Sequence, residues 1–157
     1  MRNRFPNMVS TMKKLLVSYD GSEAAKRAIE MTKKCVNVDD EITLLTVIPA
    51  ELVESSFTKM LLPTIDMAAM AKSGSFKEKA METLSDVAKD LETYAGKINL
   101  AVESGDPADE ILLSAKTHDS DVIILGYRGY GKEGRFLLGS VADKVTRYAS
   151  SSVLIVR

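Results

Sequence analysis

The sequence predicts one α/β domain, a five-stranded parallel sheet with helices on both faces. Two observations carry that prediction. Short, nearly continuous apolar runs alternate with amphipathic runs from end to end, the pattern of strands buried on both faces and joined by helical crossovers. The chain has 157 residues, 45% hydrophobic and 27% charged, an ordinary globular balance for a single domain. Crossovers in such a sheet are right-handed.

The elements follow in order. Leu15-Leu-Val-Ser-Tyr19 reads as a buried strand. Asp20-Gly21-Ser22 turns the chain, and Ser22 is a good helix N-cap. Ala24 to Lys34 is helical, with Ala25, Ala28, Ile29 and Thr32 on one face. Ile42 to Ile48 is the second strand, stopped by Pro49. Phe76 to Tyr94 is a long helix whose apolar stripe is Ala80, Leu84, Val87, Ala88 and Leu91. Ile98 to Val102 is the third strand. Gly105-Asp-Pro-Ala-Asp109 starts a helix: Asp106 caps, Pro107 fits the first turn, and Asp109 meets the positive end of the dipole. That helix runs to about Thr117, with Ile111, Leu112 and Ala115 inward. Asp121 to Leu125 is the fourth strand, Ser140 caps a helix through Tyr148 with Val141, Val145 and Tyr148 in its stripe, and Ser152 to Val156 is the last strand. Residues 49–75 are too long for an ordinary connection. They read either as a covering loop with a short Met-rich helix or as a lid or contact surface.

Bulk properties remove several function classes. A net charge of −1 gives no electrostatic case for nucleic acid or a membrane surface. No apolar stretch is long enough to span a bilayer. Cys35 is alone, which excludes an internal disulfide and favours a reducing, cytoplasmic setting with a buried, inert thiol. His118 is also alone, so no histidine-based metal cluster can be built. Residues 1–11 carry positive charge without the apolar core of a secretory signal, and read as a disordered extension or a misplaced start. Residues 12–157 form the domain.

Five of the nine glycines fall between Gly126 and Gly139, interleaved with Arg128, Lys132 and Arg135. Glycine costs backbone entropy, so a cluster implies turns or close approach to a ligand, here an anion. Gly126 to Lys132 has the start of a phosphate-binding P-loop, but Glu133 stands where a magnesium-binding hydroxyl is required. Gly129 to Gly134 has dinucleotide spacing, but after the wrong strand and with no acidic residue at the required distance. A third spacing remains: Gly126 and Gly129 just after a strand, then Gly139-Ser140 at a helix N-terminus, where free N–H groups and the dipole favour phosphate.

This spacing resembles the nucleotide-binding signature of the universal stress protein family. Leu15 to Glu23 is similar to the family's opening strand and turn, Gly105 to Ile111 to its third helix start, and Ser152 to Val156 to its closing strand. The resemblance implies strand order 3-2-1-4-5 in an adenine nucleotide alpha-hydrolase-like fold, with a ligand crevice where the order reverses. It implies ATP or AMP as ligand, with magnesium or manganese accompanying the phosphates. The backbone and apolar side chain at Val47 would hold adenine, and Ser18 and Asp20 would line the nucleotide, Asp20 near ribose or a phosphate-bound ion. Gly126, Arg128, Gly129, Gly139, Ser140 and Val141 would hold ribose and phosphates. Valine at Gly126 or Gly139 is expected to abolish binding with the fold intact. Tyr127 departs from the small hydroxyl residue many members carry, and its bulk either reshapes the ribose pocket or stacks outward. The resemblance also implies a homodimer through the edge strand Val153 to Val156, whose apolar edge invites pairing.

Three functional readings follow. The first is an adenine-nucleotide-binding stress-response or signalling protein. The second is a nucleotide-free dimeric interaction module of the same fold. The third, a hydrolase or phosphotransferase, is weakest: His118 lies away from the crevice mouth, and only Asp20 or Glu133 is available as a base, which leaves at most slow ATP hydrolysis.

Overall fold

A computed structural model describes residues 12–50, 73–129 and 138–157. The proposed extension at 1–11, most of the 49–75 stretch, and Gly131, Lys132, Glu133, Gly134 and Arg135 lie outside the described residues.

The elements are β1 (Lys14–Ser18), α1 (Glu23–Cys35), β2 (Glu41–Pro49), α2 (Ser73–Lys89), β3 (Lys97–Gly105), α3 (Pro107–Thr117), β4 (Val122–Gly126), α4 (Ser140–Tyr148) and β5 (Ser152–Val156). All strand pairs are parallel, in the order β3-β2-β1-β4-β5. Alternation along each strand divides the apolar side chains between two layers. Leu15, Val17, Ile42, Leu44 and Ile124 pack with α1 and α2 through Ala28 and Leu84, and with Leu91 just beyond α2. Leu16, Leu45, Ile123 and Leu125 pack with α3 and α4 through Ile111, Ala115 and Val145. The predicted fold class and order are therefore those of the structure.

Local chemistry sets the element boundaries. The Ser22 hydroxyl accepts from Ala25 N at 3.2 Å and caps α1. Asp106 accepts from Asp109 N at 3.0 Å and Pro107 opens α3. At the N-terminal end of the sheet, the Asp40 side chain is 0% exposed and accepts from Lys13 N at 2.9 Å and Asn37 N at 2.8 Å. Burial works to raise its pKa, but these backbone bonds and the Lys13 ammonium more than offset that and hold it below the ordinary carboxylate range.

Three local expectations need correction. The long helix begins and ends earlier than 76–94, and Lys89 is its last residue. In α4 the buried positions are Ala142 and Val145, one turn of a narrow stripe, so Tyr148 turns outward and is 71% exposed. Cys35, expected to be buried, is exposed as the last residue of α1, while Val36 beside it packs against the core.

Candidate functional site

The crevice arises from unequal strand lengths. Paired rungs between β1 and β2 end at Ser18↔Leu45, whereas β2 and β3 stay paired as far as Pro49↔Gly105. On its other side β1 pairs with β4 only from Leu15↔Val122 to Val17↔Ile124. The chain leaving β1 turns at Gly21, whose φ of 81° suits glycine, and passes into α1 on one face of the sheet, while α4, the element after β4, packs on the other face. A cavity of about 590 Å³ remains at the C-terminal ends of the strands, where open α/β sheets bind ligands.

Ser18, Asp20, Val47, Gly126, Arg128, Gly129, Gly139, Ser140 and Val141, the nine candidates from sequence, all line this one cavity. Asp20 holds the turn by accepting from Ser22 N at 2.9 Å through Oδ1. Its Oδ2 faces Gly129, where an added Cβ would lie 2.5 Å away. Two segments more than a hundred residues apart thus meet across the opening. Pro107 and Ile111 complete an apolar wall near Val47 and Pro49.

The N-terminus of α4 is built differently from the expectation. The N-cap is Gly139, with φ −63° and ψ 154°, and Ser140 is the first helical residue; no side-chain oxygen caps the helix. Gly139 N donates to Tyr127 O at 2.8 Å, and the first intrahelical bond runs from Asp143 N to Gly139 O at 2.9 Å. The N–H groups of Ser140, Val141 and Ala142 therefore have no intrahelical acceptor, and all three residues line the cavity. A Cβ on Gly139 would sit 3.2 Å from Arg128 Cα and 3.3 Å from Tyr127 O, so glycine is what lets the helix start this close to the loop. Uncapped donors and the positive end of the dipole are the chemistry that can receive an anion.

Gly126 has a second role that spacing did not reveal. A Cβ there would lie 2.8 Å from the backbone carbon and Cβ of Ala24 and 3.0 Å from Ala25 N. The residue is where α1 packs onto β4, so valine at Gly126 would disturb the fold itself.

Tyr127 stacks outward. It is absent from the cavity wall, and the Arg157 guanidinium lies 6.0 Å from the ring centroid. Its backbone is held on both sides, donating to Val156 O at 2.7 Å and accepting from Gly139 N. The residues that sequence reasoning missed include Tyr19, Thr46, Pro49, Pro107 and Ile111. The run beyond Ile48 and the Asp-Pro helix start were visible in sequence, but only strand register places them beside Val47.

The donor set also bears on metal binding. Among the described residues no group of three acidic, histidine or cysteine side chains could hold a metal ion. Asp20 alone suits a cation that arrives with phosphates, since magnesium is commonly held by one or two carboxylates plus substrate oxygens. Across the wall, Lys144 joins α4 to the start of α3, 3.1 Å from Asp106 and 2.8 Å from Asp109. The Asp109 N–H, then Lys144, lower the Asp106 pKa, and the bond to Asp109 leads in raising that of Lys144. No helix among the described residues is long and apolar enough to cross a membrane.

Known proteins share this arrangement. The sequence matches the family described as "Universal stress protein family" over residues 11–157. Universal stress protein MJ0531 of Methanocaldococcus jannaschii is 32% identical, over 92% of this chain and 82% of its own length. The solved structure of MJ0577 from the same organism has a TM-score of 0.75 at 28% identity, covering 92% of this chain and 94% of that one. A family protein of Arabidopsis thaliana, solved with AMP bound, shares the fold with a TM-score of 0.61 at 20% identity, covering 92% of this chain and 90% of its own. With the strand order and the match over residues 11–157 in agreement, the chain belongs to the universal stress protein family.

Proposed function

We propose that this chain is a stress-response or signalling protein that holds an adenine nucleotide, ATP or AMP, in the crevice between β1 and β4. The observation that carries the reading is the uncapped N-terminus of α4 opening onto the same cavity as Asp20, Val47 and Gly129. The N–H groups of Ser140, Val141 and Ala142 would take phosphate oxygens, with Arg128 and a cation at Asp20 countering the remaining charge. Hydrogen bonds to a charged group contribute roughly 1.5–3 kcal/mol each, enough for micromolar binding, about −8 kcal/mol, after association costs. AMP in the Arabidopsis protein makes adenine nucleotides the first class to test. Among the described residues that line the cavity Asp20 is the one carboxylate, and it already accepts from Ser22 N, which favours holding a nucleotide over turning it over.

Calorimetric titration of the purified protein with ATP and AMP, beside GTP, tests the reading. Micromolar binding of an adenine nucleotide is expected. No titratable affinity, and no nucleotide released on denaturation, would sink it and favour the nucleotide-free interaction module.

The reading includes a homodimer through β5. This strand is at the sheet edge, with Val153, Leu154 and Ile155 half-buried. Ser152 N and Val156 O bond towards β4, so by alternation Val153 and Ile155 turn their peptide groups to the open edge.

A further inference from the structure

The open rung above β1 has a local cause. Tyr19 N donates to Leu45 O at 2.8 Å, so Leu45 turns its peptide groups towards β1. Val47, two residues further along β2, turns the same way. A regular parallel ladder would join Val47 N–H to the Tyr19 carbonyl. Among the described residues no backbone bond joins Val47 to β1; the Tyr19 carbonyl instead accepts the Thr46 hydroxyl at 2.7 Å. Thr46 and Val47 both line the cavity.

We propose that Thr46 is a positioning residue: by occupying the Tyr19 carbonyl, its hydroxyl stops the ladder one rung short and keeps the Val47 peptide open to the crevice. This deepens the nucleotide reading and rests on it for its functional consequence. An open N–H and C=O on one residue offer a donor beside an acceptor. That pair matches a 6-aminopurine, which presents a ring-nitrogen acceptor beside an amino donor. It opposes a 6-oxopurine, whose ring N–H and carbonyl reverse the order. A site with both groups unpaired rejects the mismatched base strongly, because binding it leaves them unsatisfied.

Amide exchange by NMR tests the structural part without any ligand. The Val47 amide in the free protein should be roughly a hundredfold less protected than that of Leu45, as expected for an amide outside the ladder. Thr46→Val keeps the shape and removes the donor; the Val47 amide should gain protection, and ATP affinity should fall about tenfold, the worth of one good hydrogen bond. The preference for ATP over GTP should narrow with it. Thr46→Ser keeps the hydroxyl and should restore both readouts. A Val47 amide as protected as Leu45 in the wild type, or Thr46→Val leaving exchange unchanged, would overturn the proposal. So would Thr46→Val leaving ATP affinity unchanged in a wild type that binds. If the wild type binds no adenine nucleotide yet the exchange pattern behaves as stated, the nucleotide reading fails and the role of Thr46 at the rung stands.

Discussion

Gly126 ends β4 and Gly129 lies three residues on in the loop that follows, and the structure assigns them opposite failure modes. In Gly126→Ala the new Cβ would lie 2.8 Å from Ala24 backbone. Ordinary carbon contacts begin near 3.5 Å, so α1 or the end of β4 must yield by about 0.7 Å. Overpacking of this kind costs roughly 1–3 kcal/mol. The smaller conformational freedom of alanine in the unfolded chain offsets about 0.4–1 kcal/mol of that. A net loss of about 1–2 kcal/mol corresponds to roughly 3–6 °C in Tm for a domain of this size. In Gly129→Ala the near atom is Asp20 Oδ2, with Asp20 Cγ at 3.7 Å, the end of an exposed side chain that can swing aside. Its Tm should stay within about 2 °C of wild type, since surface changes seldom exceed half a kcal/mol. Its ATP affinity should fall about tenfold as Asp20 leaves the crevice, the equivalent of one charge-assisted contact. Calorimetric melts and titrations of both variants give the comparison. A Gly126→Ala protein that melts with the wild type refutes the packing argument; a Gly129→Ala protein that binds as the wild type refutes the placement of Asp20 at the site.

Asp40→Asn should lower stability at pH 7 by about 2 kcal/mol, because a donor replaces an acceptor facing buried N–H groups. Since the folded pKa of Asp40 is depressed, its contribution is present above the unfolded value, near pH 4, and is lost as pH falls through the folded value. Urea unfolding from pH 3 to 7 should therefore show a flatter acid limb for the variant; parallel curves would count against this. Cys35 should react with a thiol reagent in the native protein, without denaturant, and a silent thiol would contradict its exposure. For the proposed dimer, light scattering should give twice the chain mass, and Ile155→Pro should give a folded monomer because its N–H faces the open edge. Leu154→Pro should instead lower Tm sharply, since the Leu154 N–H faces β4 and proline there would break the sheet.

Much of the site was legible because its parts are local. Ser22, Asp106 and Pro107 declare helix starts through chemistry that needs no distant partner. The spacing from Gly126 to Ser140 marks a strand end and a helix N-terminus, and both sit on one cavity. What stayed hidden depends on contact between distant segments. The packing role of Gly126 left no trace in the pattern because Ala24, which it meets, is about a hundred positions away in sequence. The cap of α4 fell on Gly139 instead of Ser140 because the Arg128 backbone crowds that position. Thr46 gave no signal, since its importance depends on where β1 stops beside it.

The sequence by itself determined the α/β class, the chain order of the described elements, and the set of polar and glycine residues available to a ligand. Those follow from periodicity and turn chemistry, which act over a few residues. The tertiary structure decided that Gly126 packs on α1 as well as lining the crevice, which way Tyr127 faces, and which peptide groups stay unpaired. Those are properties of register and close approach between segments far apart in the chain, and a periodic pattern carries no record of them.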